Sequence, residues 1–123
     1  MASKIMVIED EPAILKAIIE VLQMNGYEVA SAVNGEQGLN MIADFKPDMI
    51  LLDLILPGKN GFEVLKEVKA SPENSRIPVI ILSNLGDEEE IQQGLRLGAE
   101  DFLIKADYDL NEVVKIIAKY LKK

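Results

Sequence analysis

The sequence predicts an α/β domain in three layers: a doubly wound parallel sheet of five strands with five helices on its two faces. Three observations lead there. Short apolar runs bounded by turn residues recur along the chain, and such runs read as strands buried on both faces. Each run is followed by a segment whose apolar residues repeat at helical spacing. The connections are short, so consecutive strands are joined by right-handed crossover helices rather than hairpins.

The elements follow in order. Lys4-Ile-Met-Val-Ile8 is a first strand that ends in Glu9-Asp10-Glu11. Pro12 suits the first turn of a helix, where its missing N–H leaves no bond unmade. Ile14, Leu15, Ile18, Ile19 and Leu22 carry that helix, and Asn25-Gly26 stops it. Tyr27 to Ser31 alternates as a second strand. Asn34 can cap a second helix bearing Leu39, Met41 and Ile42, which ends near Phe45-Lys46-Pro47. Gly35 and Gly38 in it predict a weak, mobile helix. They form no phosphate loop, because the lysine-ending motif that such a loop needs is absent.

The third strand, Asp48 to Asp53, places a carboxylate where another apolar residue would continue the run. Pro57-Gly58 and Asn60-Gly61 mark the loop after it. Phe62, Val64, Leu65 and Val68 indicate a third helix, and Ser71 to Ser75 a polar turn. The fourth strand, Ile77 to Ser83, has Pro78 at its entry, where proline is tolerated. The fourth helix, Asp87 to Leu97, has acids in its first turn and Gly98 after its last. Glu100 to Ile104 is the fifth strand and Asp109 to Leu121 the fifth helix.

Composition narrows the function. The chain has 123 residues, which fits a single domain, 1–123, with no output domain expected. It is 49% hydrophobic and 28% charged. No run approaches the ~18 apolar residues of a membrane span, and the start lacks the features of a signal peptide. There are no cysteines and no histidines, which removes disulfides, thiolate zinc sites and the usual general base. A cytoplasmic protein is expected. The net charge of −8 argues against nucleic acid, and no membrane partner is expected. Lys115, Lys119, Lys122 and Lys123 are read as a favourable last helical turn.

In a parallel sheet the carboxyl ends of the strands share one edge, where ligands collect. Glu9 and Asp10, Asp53, Ser83 and Lys105 all stand there. Three carboxylates in one pocket repel each other unless a cation relieves them. Lys105 neutralises one charge, and the excess suits a hard divalent ion such as Mg²⁺. A hydroxyl and an ammonium beside a metal suit phosphoryl oxygens. The chemistry this set can do is phosphoryl transfer to a carboxylate.

These residues carry a resemblance. The acidic cluster after strand one, Leu52-Asp53-Leu-Ile-Leu-Pro57-Gly-Lys-Asn-Gly61, Pro78-Val-Ile-Ile-Leu-Ser83 and Phe102-Leu-Ile-Lys105 are similar to the motifs of receiver domains of two-component response regulators. The chain looks most like the stand-alone, chemotaxis-type members, over essentially its whole length. The resemblance implies a flavodoxin-like fold with strand order 2-1-3-4-5. It implies that Asp53 takes a phosphoryl group from a phosphohistidine on a sensor histidine kinase or phosphotransfer protein. It also implies that Asp10 directly, Glu9 through water, Asp53 and the backbone carbonyl of Ile55 hold Mg²⁺, for which Mn²⁺ can substitute. Lys105 would pair with the phosphoryl group, Ser83 would hydrogen-bond to it, and Phe102 would be a switch aromatic whose rotation reports that bond. The helix 4–strand 5–helix 5 face would then bind a downstream protein target. Such a chain is no ordinary enzyme, since it catalyses only its own phosphorylation and dephosphorylation.

Several positions depart from the family. Ala106 stands where proline usually follows the lysine; a cis bond there would cost about 2.5–4 kcal/mol, so Lys105–Ala106 is expected to be trans or strained. Asn84 is larger than the usual residue beside the site. Ile55 and Leu85 are apolar at positions that overhang the phosphoryl group, and neither can orient a water, so slow phosphate loss is expected. Asn60 replaces a common acid, with little effect expected. Two other readings remain: a receiver-like binding module that is never phosphorylated, and an aspartyl phosphatase. The second would want a general acid at position 55, where Ile55 cannot serve.

Overall fold

The computed structural model describes residues 2–84 and 86–122. Five parallel strands, β1 (Lys4–Ile8), β2 (Glu28–Ala32), β3 (Met49–Leu52), β4 (Val79–Ser83) and β5 (Asp101–Ile104), form one sheet. Their order is β2-β1-β3-β4-β5. Between and after them lie α1 (Pro12–Met24), α2 (Gly35–Phe45), α3 (Gly61–Ala70), α4 (Glu88–Arg96) and α5 (Leu110–Leu121). The fold class and strand order are those expected.

The strand period divides the core in two. Ile5, Val7, Met49, Leu51, Ile80, Leu82 and Leu103 face α1 and α5, where they meet Ile18, Leu22, Val113 and Ile117. Met6, Ile8, Ile50, Leu52, Ile81 and Phe102 face the other way, toward α2, α3 and α4. Every residue of β3 is buried, because a central parallel strand is covered on both faces. Among the described residues no helix is long and apolar enough to cross a membrane.

Strand ends shift slightly from the expectation. β2 begins at Glu28, not Tyr27, since the parallel pairing with β1 starts at Lys4 opposite Glu28 and runs to Ile8 opposite Ala32. Tyr27 instead packs at the edge of the α1 and α5 core. β3 stops at Leu52, so Asp53 is the first residue beyond the strand, and β4 starts at Val79 rather than Ile77.

Helix starts are set by side-chain caps. Asn34 accepts from the Gln37 N–H. Asn60 with Glu63, Asp87 with Glu90 and Asp109 with Glu112 each form a reciprocal capping box, which satisfies two otherwise orphaned N–H groups. Asn60 starts α3 directly after the Asp53 loop, and asparagine caps a helix as well as the common acid would. Replacing such a cap by alanine typically costs ~1 kcal/mol.

The glycines of α2 also have a different meaning from the one expected. A Cβ at Gly38 would stand 2.5 Å from Ile8 Cδ1, and one at Gly35 would stand 2.5 Å from Val64 Cγ2. Both glycines are buried. They let α2 lie directly on β1 and α3, so their role is packing rather than looseness.

Candidate functional site

The site forms where β1, β3, β4 and β5 end. Asp53 N–H donates to the Ile8 carbonyl (3.0 Å), and Glu9 N–H donates to the Ala32 carbonyl (3.0 Å). These bonds continue the sheet pattern one residue past the strands and fix both acids side by side. Glu9 and Asp53 are buried, at 2% and 7% exposure, and Ser83 is fully buried at 0%. Asp10 is exposed at the rim.

Lys105 crosses from the end of β5 into this acidic pocket. Its Nζ lies 2.5 Å from Glu9 Oε1 and 3.4 Å from Asp53 Oδ2. The ammonium therefore serves Glu9 first, a pairing that the sequence did not indicate. Glu9 Oε2 accepts from the Glu11 N–H (3.1 Å), so both Glu9 oxygens are engaged. Asp53 Oδ1 accepts a longer bond, 3.4 Å, from the Ile55 N–H. Ile55 itself is 53% exposed at the mouth of the site. Lys105 begins a short 3₁₀ turn, Lys105–Asp107, and the bond to Ala106 is trans, since the described chain has no cis peptide.

Burial pushes the Glu9 carboxyl above its ordinary value, with the nearby Asp53 charge adding to the rise, while Lys105 and the Glu11 N–H pull it down. Burial pulls Lys105 down, yet the hydrogen bond it donates to Glu9 and the charges of Asp53 and Glu9 leave it raised overall. Three carboxylates, Glu9, Asp10 and Asp53, thus share the pocket with the one ammonium of Lys105.

A divalent cation would relieve that excess. One carboxylate oxygen from each of Glu9, Asp10 and Asp53 lies within 4.8 Å of the others. Three hard oxygen donors on one edge, with an open rim at Asp10, fit an ion of the Mg²⁺ type, which keeps several waters. The same crowding predicts that Asp53→Asn stabilises the metal-free protein, by on the order of 1 kcal/mol. A urea melt in chelator checks it, and a lower midpoint than wild type would contradict the charge argument.

The glycine after Asn60 shapes the site from below. A Cβ at Gly61 would overlap the Asp53 carbonyl oxygen and stand 2.6 Å from Leu54 Cα. The Gly61 N–H donates to the Leu54 carbonyl (2.9 Å). Sequence reasoning read this glycine only as part of a loop; no signal short of the structure marks it as a floor for Asp53. Beside it, Lys59 pairs with Glu67 of α3 and, at 3.4 Å, with Glu36 of α2, which ties the loop to both helices.

Phe102 is buried in the core beneath α4, at 8% exposure. Burying a phenyl ring is worth roughly 1.5–3 kcal/mol. Asn84 is exposed next to Ser83. Leu85 lies outside the described residues, as does Lys123 of the basic C-terminal turn.

Comparison with known proteins places this geometry. The family described as response regulator receiver domain matches residues 5–118. Sporulation initiation phosphotransferase F of Bacillus subtilis is 36% identical over 121 residues, covering 98% of this chain and 95% of that protein. The phosphate regulon transcriptional regulatory protein PhoB of Pseudomonas aeruginosa is 41% identical over 101 residues, 82% of this chain. The match spans only 44% of that longer relative. Among solved structures, the chemotaxis protein CheY4 of Vibrio cholerae superposes with a TM-score of 0.90 at 26% identity, covering 97% of this chain and 98% of that one. The BeF3-activated N-terminal receiver domain of Klebsiella pneumoniae RstA does so with a TM-score of 0.91 at 26% identity, covering 98% and 100%.

Proposed function

Since the chain belongs to the response regulator receiver domain family of two-component signalling, we propose that Asp53 is its phosphoacceptor. A phosphohistidine on a sensor kinase or phosphotransfer protein is the donor. The observation that supports this most is the convergence of Glu9, Asp10, Asp53 and Lys105 from three strand ends on one buried carboxylate.

An Asp53 carboxylate oxygen attacks the phosphorus, the phosphorus–nitrogen bond to the donor imidazole breaks, and its electron pair leaves with the imidazole. Asp53 is buried and held by the Ile55 N–H and Lys105, so its oxygen is oriented before the donor arrives. Glu9, Asp10, Asp53 and the Ile55 carbonyl would hold Mg²⁺, which when bound supplies positive charge against the phosphoryl oxygens. Lys105 would stabilise the same charge from the other side, and Ser83 would donate a hydrogen bond to the attached group. A dianion on Asp53 would draw both toward it, and the α4–β5–α5 face would pass that change to a downstream protein.

Mass spectrometry after incubation with acetyl phosphate and Mg²⁺ tests the assignment. One phosphoryl group on the native protein and none on Asp53→Ala is expected; retained labelling in the variant overturns Asp53 as the acceptor.

The lifetime of the acyl phosphate should be long. Ile55 offers no polar atom beyond its backbone at the mouth of the site, so it cannot orient an attacking water. Ile55→Gln, whose amide can do so, is expected to speed phosphate loss several-fold when decay is followed by the same mass shift. An unchanged half-life would place the control of hydrolysis elsewhere.

A further inference from the structure

We infer that Asn25 is a site of spontaneous covalent modification: its side-chain amide becomes a carboxylate through attack by the Gly26 backbone nitrogen, while the fold protects Asn34 and Asn60, which also precede glycine. The inference goes beyond the Asp53 reading and does not rest on it, since the reaction needs neither a metal nor a phosphodonor.

The chain holds three Asn-Gly pairs, Asn25-Gly26, Asn34-Gly35 and Asn60-Gly61. Asparagine is a chemically labile residue, most of all before glycine, which has no side chain to hinder the approach of its nitrogen. That nitrogen, once deprotonated, attacks the asparagine Cγ. The N–Cγ bond forms, the Cγ–Nδ2 bond breaks, and ammonia leaves. Water then opens the cyclic imide at either carbonyl and leaves aspartate or isoaspartate. Water is the only co-reactant. Ring closure has two needs: a side chain that can turn onto the next nitrogen, and a glycine that can move with it.

Two of the pairs meet neither need. Asn34 Oδ1 accepts from the Gln37 N–H at 2.8 Å, and a Cβ at Gly35 would stand 2.5 Å from Val64 Cγ2 and 3.0 Å from the Lys59 carbonyl oxygen. Asn60 Oδ1 accepts from the Glu63 N–H at 3.0 Å. The Gly61 N–H is committed to the Leu54 carbonyl, and Gly61 lies against the Asp53 carbonyl oxygen. To react, either asparagine would have to give up a helix cap and push a buried glycine into its neighbours.

Asn25 differs on both counts. It ends α1 rather than starting a helix, and both it and Gly26 are exposed. Its Nδ2 donates to the Val21 carbonyl at 2.7 Å, and the Gly26 N–H donates to the Gln23 carbonyl at 3.0 Å. Both bonds belong to an exposed last turn, and helix ends open at little cost. Gly26 has φ +86 and nothing within 4 Å of an added Cβ, so the imide ring has open space. Conversion puts a carboxylate at the C-terminal end of α1, where the helix dipole disfavours an anion. It also removes the Nδ2 bond to Val21. Leu22 of the same turn is fully buried, so loosening there reaches the core.

The test incubates the folded protein in mildly alkaline buffer made with heavy-oxygen water. A parallel sample is held unfolded in urea. Each Asn-Gly peptide is then read by mass spectrometry after digestion in ordinary water, so that the label marks only conversion during incubation. In the folded protein Asn25 is expected to convert about tenfold faster than Asn34 or Asn60, the factor that ~1.4 kcal/mol of barrier makes. In urea the three rates should converge. Equal rates in the folded protein overturn the inference. An equal lead for Asn25 in urea also overturns it, because the cause would then lie in the sequence and not in the fold.

Asn25→Asp, which carries the charge of the product, should lower the melting midpoint by a few degrees. An unchanged or raised midpoint would show that the conversion does not loosen α1.

Discussion

Lys105→Met is expected to destabilise the metal-free protein by about 3 kcal/mol at pH 7, because breaking one side of a buried ion pair leaves the other charge uncompensated. The side chains concerned are well covered: 12% exposed for Lys105, 3% for Glu9 and 8% for Asp53. Without the ammonium, two neighbouring carboxylates face each other in a poorly hydrated pocket. The deficit should depend on pH with a definite sign. Burial already raises Glu9 above its ordinary 4.5, and loss of Lys105 raises it further. The folded variant then binds a proton that the unfolded chain does not hold, so its stability grows as the pH falls through the raised value toward 4.5. In wild type, the raised Lys105 value means that its contribution is complete below 10.5 and fades as the pH climbs past it. Urea melts of both proteins at pH 5 and pH 7 provide the check. Added Mg²⁺ should restore part of the loss, since a cation returns to the acids. Equal midpoints for variant and wild type at pH 7 would show the pair to be dispensable.

Gly61→Ala should lie at or above the upper end of the ~1–3 kcal/mol that overpacking usually costs. The clash is with backbone on both sides, the Asp53 carbonyl and Leu54 Cα, so no side chain can rotate away. Relief must come from moving the chain at Asp53, and labelling by acetyl phosphate should fall along with the melting midpoint. Gly58→Ala is the comparison. Gly58 has φ +74 and nothing within 4 Å of an added Cβ, so only the left-handed backbone is strained, at roughly 1–2 kcal/mol, and labelling should survive. Equal losses in the two variants would remove the steric argument.

Much of this was legible beforehand, for physical reasons that differ by region. β1 and β3 announce themselves because a strand buried on both faces must be apolar throughout, and Asp53 stands out because it ends such a run. The meeting of Glu9, Asp53 and Lys105 follows once the sheet is known to be parallel. What stayed hidden depends on distances, which spacing does not encode. The preference of Lys105 for Glu9 over Asp53 is a difference of about 1 Å in reach. The packing roles of Gly35, Gly38 and Gly61 are set by atoms that approach from elsewhere in the chain, the Val64 and Ile8 side chains and the backbone of Asp53 and Leu54. The cap that Asn60 forms shows only when Glu63, three residues on, is read with it.

The bare position at Gly38 has an outcome for the domain's tolerance of change. Ile8, the residue it accommodates, is directly followed by Glu9. A randomised library selected for metal-dependent labelling should therefore be purged of larger residues at 38, a helix position with no charge, no ligand atom and no path to solvent. Inheritance of the acidic pocket is guarded there by an omission, the missing methyl that lets one helix settle against β1 and β2.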